Sequence, residues 1–130
     1  MNIKLVERRK YHRIDFDGQV DLNFTADSYE CYQAQNINLT GIFVTGAFQK
    51  QQAGKCFVNL FNRTESEEIY LKATARVVWG NPEGLGLRFT SMAFESYMSL
   101  LTTLINNAEQ PVIILREFPK ICPFEIKSEE

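Results

Sequence analysis

One histidine, His12, and three cysteines are the only nitrogen and sulfur metal ligands in this chain of 130 residues. Cys31, Cys56 and Cys122 are odd in number, far apart and without a CxxC pair. Neither a zinc site nor a disulfide framework has the clustering it needs. Free thiols fit a reducing, cytoplasmic setting. Catalytic signals are equally sparse. His12 as a general base has no nucleophile or orienting group at a recognisable spacing, and Ser66, Ser91 and Ser96 stand outside any GxSxG context. Asp15 and Asp17 read as solvated positions on the polar face of a strand, not as a paired-carboxylate site. Long apolar runs are missing as well. Val112–Leu115 is far shorter than a membrane span, and Met1–Val6 is too short and mixed for a secretory h-region. These absences lead to the expectation of a non-enzymatic domain without a metal site, cofactor or membrane span.

What is present is a globular composition, 45% hydrophobic and 12% aromatic, at the length of one domain with a sizeable core. The net charge of −2 conceals an uneven distribution. Residues 1–13 hold five Lys/Arg against one Asp/Glu, whereas residues 14–130 hold nine against fifteen. A basic arm on an acidic body indicates a localised anion site and disfavours a long nucleic acid. Its centre is Arg8-Arg9-Lys10-Tyr11-His12-Arg13. Guanidinium groups fork onto phosphate or the O6/N7 edge of guanine and stack on bases. A solvated basic leader is the plain alternative for this hexapeptide.

Past the arm the periodicity is two. Ile14, Phe16, Val20, Leu22 and Phe24 alternate with polar residues, with Gly18 as a candidate bulge. Further strands are expected at Tyr29–Gln35, Ile42–Thr45, Cys56–Phe61 and Ile69–Trp79, the last with Trp79 on the apolar side as core or rim packing. Asn81-Pro82-Glu83-Gly84 is a turn, followed by a strand through Leu85, Leu87 and Phe89. Gly84 and Gly86 read as turn and barrel-corner glycines. Phe94, Tyr97, Met98, Leu101, Leu104 and Ile105 then take helical spacing, with Thr90 or Ser91 as N-cap. Six short strands and one helix argue for a small antiparallel barrel. The tail from Pro111 is left open between an added strand, a partner-binding segment and a loose end.

Three motifs fall in order: Arg8-Arg9-x-x-x-Arg13, Asn36-x-Asn38-x-x-Gly41, and Ala75-x-Val77-x-Trp79 leading to Gly84-x-Gly86-x-Arg88-Phe89. Together with the helix they resemble the PilZ domain family, from about Arg8 to Asn107. The resemblance implies a mainly β fold, a six-stranded antiparallel barrel with a C-terminal α-helix, that binds cyclic di-GMP. It divides the chain into a flexible arm (1–13), barrel plus helix (14–110) and an extension (111–130). Carried over by position, Arg9 and Arg13 would grip guanine edges and phosphates, and Asn36 would hydrogen-bond a guanine. Gly41 would permit close approach, and Arg8 would favour an intercalated ligand dimer. Asn38 stands where the family has serine. The implied function is a cytoplasmic receptor or adaptor whose arm folds over ligand to regulate a protein partner. Two readings stay beside it: a ligand-free interaction adaptor, because of Asn38, and an RNA-binding module.

Overall fold

Alternating apolar and polar residues dictate strands with one buried face, and the computed structural model builds six of them into a closed ring. It describes residues 14–25, 27–46, 48, 54–63, 68–117, 122 and 124–127. The strands are β1 (Ile14–Asn23), β2 (Ser28–Ile37), β3 (Gly41–Thr45), β4 (Lys55–Arg63), β5 (Glu68–Asn81) and β6 (Gly84–Ala93). They pair in the order β3-β2-β1-β4-β5-β6, all antiparallel, and β3 also pairs with β6. That last pairing closes the barrel expected from the sequence and removes the open edges of its six strands. The arginine motif, Arg8, Arg9 and Arg13, lies outside the described residues.

Val20, Leu22, Ile37, Val44, Val58, Leu60, Leu71, Leu85 and Phe89 fill the interior and are essentially inaccessible. Each fully buried aliphatic side chain of this size contributes about 1.5–3 kcal/mol. Helix α1 (Phe94–Asn107) covers the barrel, packing mainly on β5 with further contacts to β1, β6 and β7 (Glu125–Lys127).

Bulges decide where the alternation breaks. In β1 the register shifts between Asp15 and Gly18, beside the glycine singled out in the sequence. In β2 the extra residue falls between the partners of Val20 and Leu22. There Cys31 takes φ +62°, and its N–H donates to Asp21 Oδ1 at 2.8 Å. In β5 the register shifts between Val77 and Trp79, inserting Val78. This third bulge corrects the sequence reading: Trp79 leaves the apolar row that Leu71, Ala73 and Ala75 keep, and is 42% exposed.

The helix start also differs from expectation. Strand β6 runs directly into α1, and Ala93 occupies the N-cap with no side-chain hydrogen bond. Thr90 and Ser91 remain in the strand, where their hydroxyls meet Thr74 Oγ1 at 2.7 and 2.6 Å. Because no loop separates strand from helix, the strand's exit direction fixes the helix rotation. The buried face is Tyr97, Leu100, Leu101, Thr103 and Leu104, while Phe94 and Met98 face solvent.

Two described segments of the tail pack back on the domain. A second helix, α2 (Pro111–Glu117), follows α1, and β7 pairs parallel with Ser91–Ala93. Strand β3 occupies the same edge of β6 only from Gly84 to Arg88, so β7 takes that edge where β3 leaves it. Phe124 anchors this strand, edge-on to Phe89 and Tyr97 at 6.0 and 5.6 Å between centroids. Such pairs add about 0.5–1.5 kcal/mol each beyond area burial.

Candidate functional site

The connection from β2 to β3 is where the chain turns its polar residues toward a cleft. Ile37 and Leu39 point into the core and pin the loop from below. Above them Asn38 organises the backbone. Its Oδ1 accepts hydrogen bonds from Thr40 N (2.9 Å), Thr40 Oγ1 (3.0 Å) and Gly41 N (2.9 Å). Asn38 N donates to Gly41 O at 2.9 Å, and Phe89 N donates to Thr40 O at 2.8 Å, locking the loop to β6. This is an Asx-type turn, in which a short side-chain carbonyl replaces a backbone partner.

Gly41 has a steric reason to be glycine. A Cβ there would sit 2.1 Å from the carbonyl oxygen of Leu87, on the strand β3 must pair with to close the barrel. The sequence reading gave Gly41 to ligand approach. The close neighbour it admits among the described residues is the β6 backbone.

Asn36, Asn38, Thr40 and Gly41 line one side of a cleft whose other side is Val78, Trp79, Gly86 and Arg88. Phe43 and Trp79 form an aromatic floor, stacked with centroids 5.0 Å apart and planes 18° from parallel. Trp79 lies over Gly86, where a Cβ would come within 2.4 Å of the indole Nε1. Arg88 is the one charged side chain lining the cleft among the described residues. An amide pair, a flat aromatic surface and a guanidinium suit a planar, hydrogen-bonding, anionic ligand. The cleft holds about 190 Å³, less than the roughly 300–1,000 Å³ of a pocket that encloses a small molecule. The described residues therefore form a shallow, open cleft.

Three of the six residues proposed from sequence, Asn36, Asn38 and Gly41, share this cleft. Arg8, Arg9 and Arg13 lie outside the described residues. Phe43, Trp79 and Arg88 were not among the six. Trp79 and Arg88 lie in the third sequence motif, but only the Val78 bulge and the β3–β6 pairing bring them beside Asn36. No group of His, Cys, Asp and Glu able to hold a metal ion occurs among the described residues. None of the helices among them is long and apolar enough to cross a membrane.

No curated protein matches the chain in sequence. Among solved structures it is similar to the Bacillus subtilis inhibitor of motility MotI/DgrA, with 21% identity and a TM-score of 0.63 over 77% of this chain. That match spans 51% of MotI/DgrA, so the chain accounts for about half of that protein. It is also similar to the PilZ domain of CeSA from a cellulose-synthesising bacterium, with 18% identity and a TM-score of 0.53. There the match covers 73% of this chain and 96% of the other. These likenesses share the barrel seen here. With a family model described as PilZ domain matching residues 7–107, this chain belongs to the PilZ domain family.

Proposed function

We propose that the chain is a non-enzymatic receptor for cyclic di-GMP, the ligand that PilZ domains generally bind. The observation that carries this reading is the convergence of Asn36, Arg88 and the stacked Phe43–Trp79 pair on one shallow cleft. Cyclic di-GMP brings two guanines and two phosphates, which call for stacking surfaces, amide partners for the guanine edge and bidentate cations. The floor supplies the first two and one cation. Arg9 and Arg13, on the arm formed by residues 1–13, supply the remaining clamp. The arm closes over ligand because those guanidinium contacts exist only when the dianion is bound. Arg8 extends the clamp to a second, intercalated ligand. The reshaped surface is then read by a protein partner in the cytoplasm, with residues 111–130 as an extension outside the ligand site.

Asn38 bears on the ligand-free alternative. Its Oδ1 is turned into the loop by three hydrogen bonds, which supports a positioning role for this residue rather than obstruction of the site. Titration calorimetry of the full chain with cyclic di-GMP, GTP and a short RNA tests the proposal. Saturable heat is expected with the cyclic dinucleotide and none with GTP. Arg9→Ala or Arg13→Ala should weaken binding about ten- to a hundredfold, as one bidentate contact of roughly 1–3 kcal/mol requires. Unchanged affinity in the double variant would remove the arm from the mechanism, and no heat with any ligand would leave the adaptor reading. A stoichiometry of one ligand per chain would count against the Arg8 assignment.

A further inference from the structure

The outer face of β4, β5 and β6 carries a pattern that, Arg88 apart, the cleft does not use. Lys55 on β4 stands opposite Arg76 on β5, and Arg76 stands opposite Arg88 on β6. All three are exposed, so three cations sit side by side in one row across three strands. Like charges placed directly opposite each other destabilise a sheet unless an anion bridges them. Two residues along, the outward row is Phe57 beside Thr74, and two further it is Asn59 beside Lys72. The next row is Phe61 beside Tyr70. Cations and aromatics thus alternate down one sheet face, at steps of about 6.7 Å set by the rise of two strand residues.

The aromatics are unusually open. Phe57 is 63% and Tyr70 52% exposed, and Lys72 Nζ lies 5.5 Å from the Tyr70 ring centre. Phe57 and Lys72 border a groove of about 610 Å³ that reaches across β6 to Lys127 on β7. Among the described residues its lining includes two lysines and no carboxylate, with hydroxyls from Thr74, Ser91 and Ser96. Among the described residues of these rows the carboxylates are Asp21 opposite Asn59, Glu68 opposite Arg63 and Glu125 beside Ser91, and none of them lines the groove. The acidic character of the body as a whole is therefore not that of this face.

We propose that this face binds single-stranded nucleic acid, its bases stacking on Phe57 and Tyr70 and its phosphates meeting Lys72, Lys127, Lys55 and Arg76. Alternating cations and open rings are what a sequence-tolerant single-strand platform requires, since every base has a π-face and every nucleotide a charge. A protein partner is less well matched, because lysine is depleted at the centre of protein interfaces. The proposal is independent of the cyclic di-GMP reading, since Phe57, Lys72 and Lys127 lie outside that cleft.

The test is fluorescence anisotropy of a short labelled oligouridylate with the full chain at about 50 mM salt, where phosphate contacts are strong. A saturable rise is expected, with weaker binding to duplex RNA. Phe57→Ala should weaken it about tenfold, within the range of one lost base stack. Lys72→Glu/Lys127→Glu should weaken it further, and the neutral pair Lys72→Gln/Lys127→Gln should lower the salt slope by about 1.4. Cyclic di-GMP titrated into the same preparations should bind as to the unaltered chain, which separates failure of this proposal from failure of the receptor reading. No rise at low salt, equal or tighter binding of duplex, or binding that survives both Phe57→Ala and the lysine replacements would overturn it.

Discussion

The Trp79 indole stacks on Phe43 with ring centroids 5.0 Å apart, and it can do so because residue 86 has no side chain. A Gly86→Ala methyl would fall 2.4 Å from the indole Nε1. The exposed ring can lift away, so we expect a modest loss of stability of about 1 kcal/mol and a shift in tryptophan emission. Gly41→Ala is the contrasting case, since its Cβ meets the Leu87 carbonyl at 2.1 Å and backbone cannot swing aside. It should cost more, roughly 2–4 kcal/mol, because β3 must part from β6. Urea unfolding of the two variants checks the order, and an equal cost would contradict the packing described.

Asn38 gives a second test, by substitution at one acceptor atom. Three donors meet its Oδ1 within the loop between β2 and β3. Asn38→Ala should lose about 1–2 kcal/mol, the usual cost of removing a side-chain cap for backbone N–H groups. Asn38→Asp keeps an oxygen in place and should lose clearly less in the same denaturant titration. Equal losses would mean that the turn does not depend on that oxygen.

Much of the barrel was legible because its strands alternate. Leu71, Ala73 and Ala75 show the period of two in the chain itself, and in the structure they are buried. Trp79 was not legible, since the Val78 bulge is a matter of ladder register and leaves no mark in hydrophobic spacing. The Thr90 and Ser91 hydroxyls resembled caps but bond to Thr74, a neighbour that only the sheet supplies. The tail strand was one of several open options because three residues, Glu125–Lys127, are too few for periodicity to show. The Asn36–Asn38–Gly41 side of the cleft could be read as a motif. Its Phe43–Trp79 side could not, because it is assembled by strand pairing across the barrel closure.

Thr103 is completely buried in α1, and its Oγ1 has no hydrogen-bond partner among the described residues. An unsatisfied buried hydroxyl costs about 1–3 kcal/mol. Thr103→Val replaces it with a methyl of similar shape and nearly equal helix propensity. The variant should therefore raise the thermal midpoint. A lower midpoint would show that the hydroxyl is satisfied in solution.

Burial holds the Cys56 thiol up, from 9.0 to about 11. The unfolded chain begins to ionise this thiol at about pH 9, while the fold keeps it protonated. The unfolded state therefore binds fewer protons, and Cys56 makes stability fall as pH rises from about 9 to about 11, by up to about 1.4 kcal/mol per pH unit. Below that window its contribution is complete. Urea midpoints of the wild-type chain and Cys56→Ala, compared on either side of pH 9, should converge at the higher pH. At neutral pH a thiol reagent should label exposed Cys31 well before Cys56.

If cyclic di-GMP lies on the Phe43–Trp79 floor as proposed, the chain's single tryptophan will report it. Titrating the ligand into the full chain should produce a saturable change in Trp79 emission, weakened about tenfold or more by Asn36→Ala or Arg13→Ala. Emission that stays constant while calorimetry records saturation would place the ligand elsewhere and contradict the account.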